Sequence, residues 1–334
     1  MENINCQDTI ENMNRWGKEG KPFIFIFDYE LKNPLAVPLE KAAENGIYFT
    51  FDNLNNIDFK SVEKPQFTFR KFPVSYPVFK KSFDHVVSEI KLGNSFLANL
   101  TFPTRIETDL TLTQIFQQSE APYKLLYNNQ FVVFSPELFV TISEGTIASF
   151  PMKGTIDASI PDAETMILND PKETAEHHTI VDLIRNDLSM VATNVKVKKF
   201  RYLNKVRTHD QTLLQVSSEV TGKLPEGSNP FRVMGDSFPA GTLSGAPKFK
   251  AMELIDRYEN QNRGYYGGCI GFISFDNRFN HAIMIRSFLS KNNTLFYQAG
   301  AGIVAASDEE SELQEVGNKL AALKQAIIMA RGIK

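Results

Sequence analysis

Two spacings of apolar residues recur along the chain. Short continuous runs, such as Phe23–Asp28, predict buried strands, and a three-to-four-residue repeat, as over 79–92, predicts amphipathic helices. On these criteria further strands are predicted at Ser95–Phe102, Phe131–Phe134, Leu138–Ile142, Thr146–Phe150, Gly268–Phe275, His281–Phe288 and Leu295–Ala299, and further helices at about 171–190, 248–259 and 308–330. Strands and helices are interspersed without regular alternation, which favours the α+β class.

The pattern also suggests how the chain is divided. The first 75 or so residues are rich in strand signals and end near Pro73 and Pro77. We therefore expect a short β-rich N-terminal region, 1–75, packed on a main domain, 76–334. No repeat, low-complexity tract or linker rich in Gly, Ser and Pro interrupts the sequence.

Composition narrows the class of protein. Hydrophobic residues make up 42% and charged residues 22% of the chain, as in ordinary soluble proteins. The net charge of −3 argues against nucleic acid or an anionic membrane as the main partner, because either needs a basic surface. Cys6 and Cys269 are the only cysteines, which indicates a reducing compartment. With no secretion signal and no apolar run of membrane-spanning length, we predict a cytoplasmic protein.

A helix start at Asp170 places two carboxylates on one face. Asp170 suits the N-cap, Pro171 the first helical position, and Glu173 the third position of a capping box. Glu176 lies three residues further on, on the same face as Glu173. Both carboxylates could simply stabilise the positive end of the helix dipole. This interaction explains Glu173 better than Glu176, because it fades after the first turn.

The last predicted helix carries a second charged stripe. It opens at Ser307–Glu310, and Glu312, Glu315 and Lys319 lie at the margin of its apolar face. Charged residues in that position are most often surface residues. Together with the helix at Asp170, however, they could supply carboxylates to Mg²⁺, which takes oxygen ligands and usually only one or two carboxylates from the protein.

Two loops have the composition of ligand-binding turns. Phe238–Lys248 is small and Gly-rich and runs into a helix, so its backbone N–H groups suit a carboxylate or phosphate. Ala299–Val304 contains two glycines that allow the backbone to approach a ligand closely. Arg286 ends an apolar strand face and could bind a carboxylate, or equally could face water at a sheet edge.

Lys153 is the candidate nucleophile. It lies in Ser149–Thr155 between Met152 and Gly154. Partial burial in such a setting disfavours the ammonium and makes the free amine more available. The alternative is a surface lysine just past a strand end, and this segment alone favours that alternative.

From about residue 80 to 330 the chain resembles the chorismate-utilising enzymes, a family that includes the first components of anthranilate and aminodeoxychorismate synthases and the isochorismate and salicylate synthases. The resemblance implies a large α+β fold with two extended, mainly antiparallel sheets around a central cleft and helices outside. The matching segments are Phe134–Leu138, Pro151–Thr155, Asp170–His177, Val181–Leu188, Phe238–Lys248, Gly300–Val304 and Glu312–Lys319.

The resemblance implies a role for each candidate residue. Mg²⁺ would be bound by Glu176 and Glu315, with Glu173 and Glu312 beside them. Glu137 would be the general acid that protonates the departing C4 hydroxyl of chorismate. The substrate-binding residues would be Thr155, Thr242, Ser244, Tyr266, Arg286, Gly300, Gly302 and Lys319.

Two positions distinguish members of the family. Isochorismate and salicylate synthases use a lysine to activate water where this chain has Asn99, which cannot act as that base. Anthranilate synthases carry a small residue where this chain has Lys153, whereas aminodeoxychorismate synthase is similar in having lysine. A covalent lysine adduct would divide one difficult substitution into two allylic displacements. Anthranilate synthase component I and a non-catalytic chorismate-binding subunit remain as alternatives.

The amination of chorismate implied by this resemblance requires a source of ammonia. Neither cysteine has the His and Glu partners of an amidotransferase, so the resemblance implies a separate glutamine amidotransferase subunit in a heterodimer. One position departs from the family pattern, because Gln215 stands where a histidine is frequent. Glutamine can form hydrogen bonds there but cannot transfer a proton at neutral pH.

Overall fold

The computed structural model describes residues 4–51, 54–57, 67–119, 123–134, 137–207, 212–259, 261–273 and 279–329. Its α-helices are α1 (Ile4–Lys18), α2 (Tyr76–Lys91), α3 (Leu112–Gln118), α4 (Ala163–Asn169), α5 (Pro171–Ser189), α6 (Pro230–Ser237), α7 (Gly241–Ser244), α8 (Lys248–Tyr258) and α9 (Glu309–Met329). Two 3₁₀ turns lie at Leu39–Lys41 and Ala43–Asn45.

The strands cover most of the remaining described residues. They are β1 (Phe23–Phe27), β2 (Leu35–Pro38), β3 (Ile47–Phe51), β4 (Leu54–Asn55), β5 (Phe69–Phe72), β6 (Leu97–Thr108), β7 (Tyr123–Tyr127), β8 (Phe131–Phe134), β9 (Glu137–Ser143), β10 (Thr146–Ser149), β11 (Met152–Asp157), β12 (Thr193–Arg207), β13 (Thr212–Lys223), β14 (Gly245–Ala246), β15 (Cys269–Ile273), β16 (Phe279–Ile283), β17 (Ser287–Lys291) and β18 (Thr294–Ile303). The turn predicted at 276–278 lies outside the described residues.

The chain divides into two compact units. The first comprises Met1–Glu137, Leu243–Phe272 and Ala282–Lys334, and the second comprises Leu138–Thr242 and Ile273–His281. The described strands form two nine-stranded antiparallel sheets, one of which lies wholly in the first unit, and helices pack on both sheets.

The sheet of the first unit has the strand order β14-β6-β18-β17-β8-β7-β3-β4, with β5 on β6. Its centre is the long antiparallel pair β6–β18, which runs from Leu295↔Ile106 to Ile303↔Ala98. Helices α2 and α8 pack on β6, and α9 packs on β18. Helix α2 buries the apolar side that its sequence spacing predicts, at Phe79, Phe83, Val86 and Ile90.

In the second unit β13 is the organising strand. It pairs antiparallel with β11, β10 and β12, and β10 in turn pairs with β9. Helix α5 packs on β11, β12 and β13 through its buried residues, among them Val181, Ile184 and Leu188. The helix that carries two of the predicted metal ligands therefore lies against the strand that carries Lys153.

The predicted fold class is confirmed, since the described chain has two large antiparallel sheets with helices packed on them. Most predicted elements also exist, although helices α1, α3, α4, α6 and α7 were not predicted. One predicted strand, His281–Phe288, is wrong in extent, because β16 ends at Ile283 and β17 begins at Ser287. None of the described helices has the length and apolar character needed to cross a membrane.

Candidate active site

A β-bulge determines the direction of Lys153. In the pairing of β11 with β13, Met152 lies opposite Ser217 and Thr155 lies opposite Gln215, so β11 has one extra residue. Gly154 within this bulge has φ +88°, a conformation that residues with a side chain rarely adopt. Bulges change the direction of the side chains they carry. Here the bulge includes Lys153 itself.

Lys153 forms an ion pair with Glu176 of α5. Its Nζ lies 2.6 Å from Glu176 Oε2, and the two side chains are 34% and 35% exposed. Lys172 approaches the other carboxylate oxygen of Glu176 to 3.9 Å. Lys153 is thus neither a solvated surface lysine nor a buried amine, and it is held at one of the predicted metal ligands.

The start of α5 confirms the predicted N-cap but not the complete capping box. Asp170 Oδ1 accepts a hydrogen bond of 2.8 Å from the N–H of Glu173, and Pro171 occupies the first turn. The Glu173 side chain, which a capping box would return to Asp170, instead lies beside Gly154. A Cβ placed on Gly154 would lie 3.0 Å from Glu173 Oε2. The positive φ favours glycine, and any β-carbon here would also displace the Glu173 carboxylate slightly.

Glu173 Oε2 is buried and has no hydrogen-bond partner. Burying an unpaired carboxylate oxygen is unfavourable, and a bound cation would remove the penalty. Glu173 and Glu176 therefore offer carboxylate oxygens of the kind that Mg²⁺ takes as ligands, and Glu176 is paired here with Lys153.

His177 is a residue of this region that the sequence analysis missed. It is fully buried, its Nε2 lies 2.6 Å from Ser218 Oγ, and the same hydroxyl oxygen accepts a hydrogen bond from the backbone N–H of Arg201. Burial, aided by the charge of Arg201, lowers the pKa of His177 to about 4, so it is neutral at physiological pH. The sequence spacing could have indicated its burial, because His177 lies four residues before Val181 on the buried side of α5.

In the first unit, Lys319 joins α9 to β18. Its Nζ donates a hydrogen bond of 2.6 Å to the carbonyl oxygen of Gly300 and lies 2.9 Å from Glu315 Oε1. Glu312 Oε1 accepts a hydrogen bond from the hydroxyl of Ser307 near the start of the helix. The three charged residues predicted at the margin of α9 are partly or largely exposed, as that position implies.

Gly300 is required by its neighbours on β6. The register places Gly300 opposite Thr101 and Gly302 opposite Asn99. A Cβ on Gly300 would lie 2.6 Å from Asn99 Oδ1 and 2.7 Å from Thr101 Cγ2, closer than real side chains permit. The Gly300 backbone is therefore covered directly by these two side chains.

Arg286 lies in the bend between β16 and β17, where it has φ +51° and is exposed. The predicted strand is interrupted here because a left-handed residue cannot continue the extended backbone. The Arg286 carbonyl accepts a hydrogen bond from the N–H of Phe134. Burial raises the pKa of Tyr297 to about 12, with Arg286 acting in the opposite direction.

The remaining substrate-binding candidates differ in exposure. Tyr266 and Ser244 are buried, Thr242 is partly buried, and Gly302 and Thr155 are exposed. Thr242 lies in the short helix α7, whose first residue, Gly241, donates its N–H to Asp187 Oδ2 at 2.7 Å. Glu137 begins β9, but its side chain lies outside what the structure describes.

A sequence model described as chorismate binding enzyme matches residues 35–325. The chain belongs to this family. An uncharacterized PabA-like protein of Haemophilus influenzae is 43% identical, over 94% of this chain and 96% of its own length. Anthranilate synthase component 1 of Aquifex aeolicus is 34% identical, over 91% of this chain and 62% of its own length. The fold is also that of MenF, the menaquinone-specific isochorismate synthase of Escherichia coli, with a TM-score of 0.76 over 98% of this chain and 84% of MenF at 16% identity.

The four glutamates predicted to bind Mg²⁺ in this chorismate-binding enzyme come in two pairs. Glu173 and Glu176 lie on α5, and Glu312 and Glu315 lie on α9. In the described part of the chain, no group of three or more His, Cys, Asp or Glu side chains forms a metal site by itself. Each of the two helices carries two of these carboxylates.

Proposed function

We propose that this chorismate-binding enzyme is the synthase component that forms 4-amino-4-deoxychorismate from chorismate and ammonia. The observation that carries the proposal is Lys153, a lysine in a β-bulge beside the glutamates of α5, at the position where anthranilate synthases are expected to have a small residue. The product would enter p-aminobenzoate and folate biosynthesis in the cytoplasm. A separate glutamine amidotransferase subunit would supply the ammonia.

Two allylic displacements account for the reaction. Lys153 Nζ bonds to C2 of chorismate, both double bonds of the ring diene shift by one position, and the C4 hydroxyl leaves as water with a proton from Glu137. Ammonia then bonds to C4, both double bonds return, the C2–Nζ bond breaks to release the lysine amine, and the new ammonium group returns a proton to Glu137. The net change replaces hydroxyl by amine at C4, and the covalent adduct lowers the barrier of each step.

The ion pair with Glu176 sets a condition on this mechanism. Attack requires an amine with a free lone pair, whereas the 2.6 Å contact holds Lys153 at a carboxylate. Lys153 must therefore leave Glu176 before it reacts. Its partly exposed side chain leaves room for that movement, and the bulge at Gly154 keeps its backbone direction constant.

The family resemblance assigns the remaining residues. Glu176 and Glu315 would hold Mg²⁺, with Glu173 and Glu312 beside them. Bound Mg²⁺ would neutralise and orient a carboxylate of chorismate. The backbone at Gly300 and Gly302 and the side chains of the predicted set would position the substrate, namely Thr155, Thr242, Ser244, Tyr266, Arg286 and Lys319.

A second candidate function is that of anthranilate synthase component I. The relative from Aquifex aeolicus bears that name and is 34% identical. The two functions differ in the products, because an anthranilate synthase eliminates pyruvate from the aminated intermediate and the proposed reaction retains it.

Product analysis tests the proposal. The purified protein is incubated with chorismate, Mg²⁺ and an ammonium salt, and aminodeoxychorismate lyase is added to a parallel tube. We expect chorismate to be consumed without pyruvate release in the first tube, and p-aminobenzoate with pyruvate in the second. Lys153→Ala should reduce turnover by at least 100-fold. Lys198→Ala is a matched control, because Lys198 also lies on a strand of the second unit and pairs with Glu219 at 2.8 Å.

Two results would contradict the proposal. Anthranilate and pyruvate without added lyase would assign the chain to the second candidate function. Chorismate binding without any turnover at high ammonium would make the chain a non-catalytic subunit.

A further inference from the structure

Arg263 and Glu259 form a deeply buried ion pair in the first unit. Both side chains are 1% exposed. Arg263 Nε and Nη2 donate to the two carboxylate oxygens of Glu259 at 2.9 and 2.6 Å, a bidentate arrangement. Burial alone would lower the pKa of Arg263, but the adjacent carboxylate and its hydrogen bonds raise that pKa above its usual range. The guanidinium is therefore permanently charged.

The guanidinium of Arg263 lies 4.7 Å from the centre of the Tyr29 ring, and the pair also contacts backbone groups distant in sequence. Arg263 Nη1 donates to the Leu243 carbonyl and Nη2 to the Asn99 carbonyl, both at 2.6 Å. Glu259 Oε1 accepts a hydrogen bond of 2.7 Å from the N–H of Thr101. The pair consequently joins strand β6, helix α7 at Leu243 and the end of helix α8.

Each of these segments adjoins a substrate-binding candidate. Asn99 and Thr101 are the residues whose side chains cover Gly300, and the carbonyl of Gly300 accepts a hydrogen bond from Lys319. Leu243 immediately precedes Ser244. The orientation of the peptide groups at Asn99 and Leu243 is fixed by Arg263, because a carbonyl oxygen at 2.6 Å from a rigid, planar donor has little freedom to rotate.

Burial of this ion pair is weak evidence for a role in stability. Replacing a buried ion pair by apolar residues of similar size is often neutral for stability or even stabilising, because removing two charges from water is costly. This pair orients backbone groups in three segments, which is the property of a positioning device.

We infer that Arg263 and Glu259 are positioning residues for chorismate binding, acting through Asn99, Thr101 and Leu243 rather than by touching substrate. The inference rests on the proposed function only for the identity of the reaction. It predicts that disturbing the pair weakens chorismate binding without altering the use of ammonium.

Two variants test the inference. Arg263→Lys keeps the charge but loses the planar fork, and the double variant Arg263→Met with Glu259→Met replaces the pair by apolar residues of similar length. For both we expect the KM for chorismate to rise at least tenfold, the KM for ammonium to stay within twofold, and kcat/KM for chorismate to fall 10- to 100-fold. Thermal unfolding of each variant measures any loss of stability separately.

Lys124→Met is the matched control. Lys124 also donates to two carbonyls in the first unit, those of Phe116 and Ser119, both at 2.8 Å. It adjoins none of the substrate-binding candidates in sequence. Its variant should lose stability while both KM values stay at the wild-type level.

Unchanged KM values in both test variants, with kcat reduced only in proportion to the folded fraction, would overturn the inference. Failure of both variants to fold would assign the pair to stability and overturn it equally. If the wild-type protein forms anthranilate, the proposed function fails, but the KM for chorismate in that reaction tests the positioning role in the same way.

Discussion

Gly154 combines a left-handed backbone with a close carboxylate, and it follows directly on the lysine proposed to attack chorismate. A β-carbon at this position would be strained by φ +88° and would press on Glu173 Oε2 at 3.0 Å. Both effects act on the bulge that directs Lys153. At the scale of the residue, therefore, the position of the Lys153 amine depends on Gly154, which has no side chain.

Gly154→Ala should lower both stability and activity. An L-residue in the left-handed region costs roughly 1–2 kcal/mol, and the displaced carboxylate should reduce turnover of chorismate at least tenfold. Gly145→Ala is the control, since Gly145 has φ +70° with nothing within 4 Å of its added carbon. Urea unfolding should show a similar loss in both variants, and only Gly154→Ala should be impaired in turnover. Equal activities would show that the bulge does not direct Lys153.

At the scale of the element, α5 is held by a cap at its start and by a buried histidine in its first half. Asp170 caps the helix and His177 hydrogen-bonds to Ser218 of β13. Glu173 and Glu176 lie between these two anchors, so the helix start controls where the carboxylates point.

Asp170→Ala should therefore weaken Mg²⁺ binding more than its small loss of stability would suggest. Loss of an N-cap costs about 1 kcal/mol, and fraying of the first turn should raise the Mg²⁺ concentration for half-maximal activity several-fold. Thr111→Ala removes the N-cap of α3, where Thr111 accepts a hydrogen bond from Gln114. That control should lose similar stability in urea without changing the Mg²⁺ requirement. An unchanged Mg²⁺ requirement in Asp170→Ala would separate the cap from the metal site.

Strand β16 contains a second buried histidine, which makes stability depend on pH. Burial lowers the pKa of His281 from 6.5 to about 3. The unfolded chain therefore binds a proton first as pH falls, and the free energy of unfolding decreases from about pH 6.5 down to about pH 3. The decrease from this single group is at most about 1.4 kcal/mol per pH unit.

His281→Phe should flatten that dependence. The new ring can pack beside Phe139 and Phe279, the present ring neighbours of His281. Urea unfolding between pH 7 and 4.5 should show a smaller slope than in the wild type. His85→Asn changes an exposed histidine and should leave the slope unaltered. A parallel slope in His281→Phe would mean that the histidine is not neutral in the folded chain.

At the scale of the whole molecule, ligand binding should increase the free energy of unfolding of the protein. In the presence of Mg²⁺, chorismate at 100 times its own Kd should raise the free energy of unfolding by about 2.7 kcal/mol, if chorismate binds only the native state. For a chain of this length that amounts to a rise of several degrees in Tm. Removal of Mg²⁺ with EDTA should abolish most of the increase, as measured by calorimetry.

The increase should depend on the glutamates assigned to Mg²⁺. Glu315→Gln should lose the part that requires Mg²⁺, whereas Glu310→Gln, an exposed glutamate on the same helix, should retain it. A full Mg²⁺-dependent shift in Glu315→Gln would remove Glu315 from the set of ligands.

Local rules account for the elements that were predicted well. Helix α5 begins where Asp170 and Pro171 place it, and β8 has the predicted bounds, because caps and short apolar runs act over a few residues. Arg286 shows where such local rules fail. The apolar run 281–288 predicts one continuous strand, whereas the left-handed backbone of Arg286 separates β16 from β17.

The amino-acid sequence by itself determined the fold class, the family and the identity of the candidate nucleophile, because these depend on composition, local caps and an ordered set of motifs. Only the tertiary structure decided that Lys153 lies in a bulge beside Glu176, that Glu173 packs on Gly154 rather than completing a capping box, and that Arg263 contacts Asn99 and Leu243. The physical reason is that strand register and helix packing bring together residues far apart along the chain, and no local pattern encodes those distances.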